Sequence, residues 1–312
     1  MRLSASLVAG ALLLCLAAAL PARTTGGQVP REAVKTSTVL APTTLTAPAP
    51  QETERAGSAE AEQPQGPLPW DLDVATDPFW QTAKAEVLRV TMPIYQRYHK
   101  ELGDGLDRFV IERGSHRLHK IALTFDDGPH PDTTPELLAI LRHYHVKATF
   151  FVVGAMARRY PTMLKAIAAD GHEIANHTYR HTNLTRKGIS PEEICCEIKA
   201  CGEAVRQITG QSPQYFRPPG GNYNRTTLKL IRACGYTMVL WTYNTADYTE
   251  PGEDRILRRM AYHAVNGGIY LMHDGYRQTL ACLPRIIEEL QARGFGFGTV
   301  SEVAEREDRA PH

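Results

Sequence analysis

From Ile121 onward, short runs of apolar, β-favouring residues alternate with amphipathic segments of helical length, and this alternation narrows the fold more than any other feature. The predicted strands are Ile121–Phe125, Ala148–Val153, His172–Asn176, Gln214–Phe216, Thr237–Trp241, Gly268–Met272 and Gly296–Val300. Each is followed by a helix or a turn, which is the pattern of parallel βαβ units in an α/β fold. Two helix starts are well marked. Thr133-Thr134-Pro135-Glu136 and Ser190-Pro191-Glu192-Glu193 each place a capping hydroxyl three residues before a glutamate, with a proline in the first turn. Gly171, Gly210 and Gly235 mark stops. Upstream, Phe79–Leu102 fits an amphipathic helix, and Arg108–Glu112 fits a strand hairpinned to the first one through Gly114–Ser115.

All Phe, Trp and Tyr residues lie at or after Trp70, so residues 1–69 have little with which to build a core. Arg2, the apolar run Leu7 to Leu20 and the small residues Ala17, Ala18, Ala19 and Ala22 have the order of a secretory signal, assigned here to residues 1–22. The run is too short to span a bilayer, which takes about 20 residues. Residues 23–69, rich in Pro, Thr, Ala, Gln and Glu, cannot bury enough apolar area to offset ordering entropy and read as a disordered linker. The expectation is a secreted or extracytoplasmic monomer with no stable membrane span after signal cleavage. Lys and Arg number 35 against 34 Asp and Glu, a net charge of +1, which leaves no basic field for nucleic acid. Of six cysteines, Cys15 departs with the signal, and the rest show no CxxC or zinc-finger spacing. Cys195, Cys196, Cys201, Cys234 and Cys282 are consistent with one or two disulfides or with buried thiols, and the spacing does not decide between them.

Parallel βαβ units carry function at the C-terminal ends of their strands. The polar residues there are Asp126 and Asp127, His177 and His181, Arg217, Asn244 and Asp247, and His273 and Asp274. His177 and His181, four apart, can reach one cation, although two surface histidines are the commoner meaning of that spacing. The acids of Thr124-Phe125-Asp126-Asp127-Gly128-Pro129 strengthen the metal reading over their plainer use as helix caps, because adjacent carboxylates repel unless compensated. One acid to hold a metal and one to take a proton from water would suit hydrolysis. Arg217, otherwise a rim salt bridge, can orient the base. The glycines of Pro218-Pro219-Gly220-Gly221 let backbone N–H groups approach a substrate oxygen. His273, with Asp247 raising its pKa, can protonate a leaving group.

TFDDGP at 124–129, HTYRH at 177–181, RPPGG at 217–221, Trp241 with Asp247-Tyr248, and Leu271-Met272-His273 follow in the order of five motifs, and on them the chain resembles the NodB-homology polysaccharide deacetylases, carbohydrate esterase family 4. The resemblance implies a distorted (β/α)7 barrel over residues 118–307, with 70–117 as an N-terminal extension packing on it. It implies removal of acetyl groups from a polysaccharide, peptidoglycan or chitin-like. An acetyl-xylan-type ester and a non-catalytic glycan-binding role are the alternatives. By resemblance, Asp126 is the base, Arg217 its partner, His273 the acid and Asp247 its tuner. Asp127, His177 and His181 hold a divalent ion, zinc before cobalt or another. Gly220 N–H serves the oxyanion, Leu271 the acetyl methyl, and Pro219 and Tyr248 the substrate groove. Gly220, Asn244 and Tyr248 stand where the family pattern has Tyr, Asp and Trp, which bears on substrate preference.

Overall fold

The computed structural model describes residues 73–101 and 106–304, so the expected signal, linker and Cys15 lie outside the described residues. Among the described residues nine strands form one sheet: β1 Val110–Ile111, β2 Lys120–Asp126, β3 Thr149–Val152, β4 Glu173–Asn176, β5 Tyr215–Phe216, β6 Thr237–Val239, β7 Tyr243–Asn244, β8 Gly268–His273 and β9 Gly296–Phe297. Every pairing is parallel, in the order β1-β6-β5-β4-β3-β2-β8-β7, with β9 joined to β2. The result is a curled, incomplete barrel. Among the described residues no ladder joins β1 to β7.

The helices are α1 Pro78–Glu86, α2 Met92–Glu101, α3 Thr134–His143, α4 Gly154–Arg159, α5 Pro161–Ala169, α6 Pro191–Thr209, α7 Arg225–Ala233, α8 Glu253–Tyr262, α9 Arg277–Ala292 and α10 Val300–Val303. A π-helical turn, Val87–Thr91, joins α1 to α2, so the amphipathic segment expected at 79–102 is one helical run. It packs on α6 and α7 through Trp80, Ala83 and Val87. Among the described residues, no helix is long and apolar enough to cross a membrane.

The seven predicted strands are present, β1 lies within the strand expected at Arg108–Glu112, and β7 is additional. The segment expected to hairpin onto the first strand does otherwise: β1 runs parallel to β6, with Val110 opposite Met238. The Gly114 and Ser115 N–H groups donate to the Gly267 and Val303 carbonyls at 2.7 Å each, which commits the turn to the barrel floor and prevents a fold-back. Ser190 caps α6, its hydroxyl accepting from Glu193 N at 3.1 Å. Thr133 does not cap α3; its hydroxyl donates to Asp274 Oδ1 at 2.5 Å, because a buried carboxylate is the stronger acceptor. All five described cysteines are buried and none is in a disulfide. Burial pushes the Cys196, Cys201 and Cys282 thiols up to about 12, so they behave as small apolar groups.

The period of two along each strand decides what faces the barrel axis. On β2, Ile121, Leu123 and Phe125 point outward into the main apolar layer with Leu137, Leu141, Ile286 and Ile287 of the covering helices. Ala122 points inward with Phe151, Ala175, Tyr215, Val239 and Ile269, over a floor made by Val300 and Val303. Two residues further on, the inward columns reach Asp126 after Ala122 and Thr124, His177 after Ala175, Arg217 after Tyr215, and His273 after Ile269 and Leu271. Register then makes Asp126 and His273 direct neighbours across β2 and β8.

Candidate active site

Arg217 is fully buried and bonded along its whole head group. It donates to Asp126 Oδ1 at 2.6 Å, to Thr124 Oγ1 at 2.9 Å, and to the Val239 and Leu240 carbonyls at 3.3 and 2.8 Å. Its guanidinium lies 3.9 Å from the Phe151 ring centroid. Burial pushes Arg217 down from its ordinary value, and the Asp126 carboxylate opposes that. With one oxygen of Asp126 fixed in this way, the other lies 3.7 Å from His177 Nε2.

Asp127 Oδ1 stands 3.1 Å from His181 Nε2 and 3.4 Å from His177 Nε2. The three ligand atoms lie within 4.8 Å of one another. His177 Nδ1 donates to the Arg217 carbonyl at 2.8 Å, and because a carbonyl only accepts, Nε2 keeps its lone pair for the cluster. Asp127 Oδ1 is buried and accepts no hydrogen bond within the chain, an orphaned anion facing two imidazoles. A divalent cation fits this donor set. Burial would raise the Asp127 carboxyl, but His181 and His177 outweigh it and hold it well below the carboxylate range; Asp127 in turn raises His181 against burial. His177 is 2% exposed while His181 and Asp127 are 28% and 21% exposed, so the cluster opens to one side only.

His273 Nδ1 and Asp247 Oδ1 are 2.7 Å apart. Asp247 Oδ2 accepts from His273 N at 2.8 Å and from the Thr279 hydroxyl at 2.6 Å. Burial alone would lower the His273 pKa, yet the bond and charge of Asp247, aided by Asp127 and Asp126, raise it to about 9. Asp247 goes the other way: burial raises it and His273 more than offsets this. Tyr248, 43% exposed, sets its ring edge-on to His273 at 5.2 Å. Leu271 is buried two residues before His273 in the same inward column, and Pro219 is buried next to the exposed Gly220. Gly220 has φ +63, a conformation open to glycine at low cost, where the family pattern has Tyr. Asn244 accepts from Ala246 N at 2.8 Å and so shapes the loop carrying Asp247.

Of the residues singled out from the sequence, Asp126, Asp127, His177, His181, Arg217, Asp247 and His273 come together at this rim with Tyr248 against His273, while Leu271, Pro219 and Gly220 lie beside them in the chain. Asp274 does not join the rim; it accepts from the Thr133 and Thr134 hydroxyls and pins the loop after β2. Thr124 and Thr279 were missed, because a threonine on a strand or helix carries no signal until a partner faces it.

Comparison with known proteins agrees with this geometry. A family model described as polysaccharide deacetylase matches residues 113–239. A peptidoglycan-N-acetylglucosamine deacetylase of Bacillus cereus is 39% identical, covering 59% of this chain and 87% of that protein. The chain belongs to the polysaccharide deacetylase family. A chitooligosaccharide deacetylase of a Bradyrhizobium species is 35% identical over 56% of this chain and 86% of its own length. Among solved structures, a family 4 pseudoenzyme from Bacillus anthracis superposes with a TM-score of 0.60 at 27% identity, covering 66% of this chain and 71% of its own. The family fold is thus present here, while the fold alone does not guarantee chemistry.

Proposed function

We propose that this polysaccharide deacetylase removes acetyl groups from N-acetylated sugars of a peptidoglycan or chitin-like polymer, using a divalent ion, zinc first, at Asp127, His177 and His181. When bound, that ion supplies Lewis-acid polarisation of the acetyl carbonyl and lowers the pKa of the attacking water. The observation that carries the reading is the joint presence of three units at one rim: the Asp126–Arg217 pair, the Asp127–His177–His181 cluster and the Asp247–His273 pair.

Asp126, with Oδ1 held by Arg217, turns Oδ2 toward the cluster and takes the proton of the water. Gly220 N–H donates to the oxygen on which negative charge develops. His273, with Nδ1 committed to Asp247, gives its Nε2 proton to the departing sugar nitrogen. A pKa near 9 keeps that proton available at neutral pH. Leu271 contacts the acetyl methyl, and Tyr248 and Pro219 border the sugar. The signal and stalk read from residues 1–69 fit an enzyme acting outside the cytoplasm.

The pseudoenzyme neighbour supports one rival, a glycan-binding relative without turnover. Acetate release from chitin oligomers, peptidoglycan and acetyl-xylan, with and without chelator, separates the readings. We expect chelator-sensitive release from an N-acetylated polymer. Release from acetyl-xylan alone would favour the ester reading, and binding without any release would favour the glycan-binding one.

The acid role has its own signature. Asp247→Asn removes the charge that stabilises protonated His273, so its pKa falls and the alkaline limb of kcat/KM moves to lower pH by about 1–3 pH units. An alkaline limb that stays in place would exclude His273 as the titrating acid.

A further inference from the structure

The residues between the two cluster histidines are held from two sides by buried carboxylates, Glu197 within α6 and Asp77 at the N-cap of α1. Glu197 of α6, fully buried, accepts from Tyr179 N at 3.0 Å, Arg180 N at 2.8 Å, Arg180 Nε at 2.8 Å and the Thr182 hydroxyl at 2.7 Å. Asp77, also buried, has two tasks. Its Oδ1 caps α1 by accepting from Phe79 N and Trp80 N at 2.9 and 3.2 Å. Its Oδ2 accepts from the Tyr179 hydroxyl at 2.8 Å and pairs with Arg158. The Tyr179 ring is fully buried beside Phe79 and Trp80, at centroid distances of 6.5 and 6.3 Å, and the Arg180 guanidinium lies 4.6 Å from the Trp80 centroid.

The loop needs this bracing because of its backbone. Thr178 and His181 have φ of +68 and +55, a region that non-glycine residues avoid unless the surroundings impose it. Asn176 at the end of β4 accepts from Thr178 N at 2.9 Å, and the first N–H groups of α4 donate to the Thr178 and Tyr179 carbonyls at 3.0 and 2.8 Å. That approach is open only because Gly154 lacks a Cβ, which would sit 2.4 Å from the Tyr179 ring. The Arg217 carbonyl orients the His177 ring directly, while the backbone path from His177 to His181 is set by groups that touch neither imidazole.

We propose that Glu197 and Asp77 are positioning residues for the metal ligands, and that α1, outside the residues 113–239 matched to the family, is a working part of the metal site. The inference rests on the metal reading of Asp127, His177 and His181. Outer groups that orient metal ligands are typically worth about 10–100-fold in affinity.

The test uses the full chain, stripped of metal and titrated with Zn2+ against a chromophoric chelator, with the visible spectrum of the Co2+-loaded protein as a second readout. Glu197→Gln, Asp77→Asn and Tyr179→Phe should each weaken Zn2+ binding, by about 10–100-fold for Glu197→Gln, and alter the Co2+ bands. Glu203→Gln, on the same helix but bonded to Arg206, should change neither. Tyr179→Phe deletes one hydroxyl and keeps the packed ring, so it decides the Asp77 role if Asp77→Asn does not fold, and Thr182→Val, which deletes one donor to Glu197, does the same for Glu197→Gln. Wild-type affinity and spectrum in all three variants would overturn the positioning roles. If the wild type binds no Zn2+, or His181→Ala binds as tightly as wild type, the metal reading itself fails.

Discussion

Asp126→Asn is expected to lose turnover by about two to four orders of magnitude while retaining its metal. The side chains are nearly the same size, and Asn still offers Oδ1 to Arg217, which now sits 2.6 Å from the carboxylate. The amide nitrogen that replaces Oδ2 has no lone pair to take a proton, so the change is confined to the base. The proposed ligand atoms belong to Asp127, His177 and His181, which leaves metal content as an internal control. Acetate release from a chito-oligosaccharide, read beside metal analysis of the same preparation, checks both halves. A wild-type rate in this variant would show that another group takes the proton.

His177→Ala should lose metal and activity together. His177 is the buried member of the cluster, and its ring joins the site to the Arg217 carbonyl. Without it, two partly exposed ligands remain, and a Lewis acid worth several kcal/mol of transition-state stabilisation is no longer retained. At about 1.4 kcal/mol per factor of ten, activity should fall on the order of a thousandfold or more. Chelated wild type should fall equally and recover on adding Zn2+, whereas the variant should not recover. Activity that survives both chelation and His177→Ala would point to hydrolysis without a metal.

Most of the site was legible because its residues are polar in places where a strand should simply end. Asp126-Asp127 and His177…His181 stand out against their apolar strands, and the alternation Ala122, Thr124, Asp126 already puts Asp126 on the inward face. Other parts were hidden for definite reasons. Thr133 has the sequence of a cap, yet its hydroxyl is drawn to Asp274, which lies far along the chain. Arg108–Glu112 looks like the first arm of a hairpin, but β6 offers an unpaired edge and the floor binds Gly114 and Ser115. Glu197 did leave a trace, a single acid on the buried stripe of α6 with Ile194, Ile198 and Cys201. Asp77 left none, because its partner Tyr179 is distant in sequence.

The sequence by itself determined the α/β class, the seven principal strands, the family and which residues are proposed as ligands, base and acid. These follow from local pattern: the periods of strand and helix, and short motifs whose members lie within a few residues of one another. Only the tertiary structure decided which oxygen of Asp126 is held, which nitrogen of His177 and His273 is engaged, and that Asp77, the cap of α1, reaches the loop between His177 and His181. Those outcomes depend on hydrogen bonds between segments far apart in the chain, and a hydrogen bond exists only at a distance and an angle that the packed barrel alone supplies.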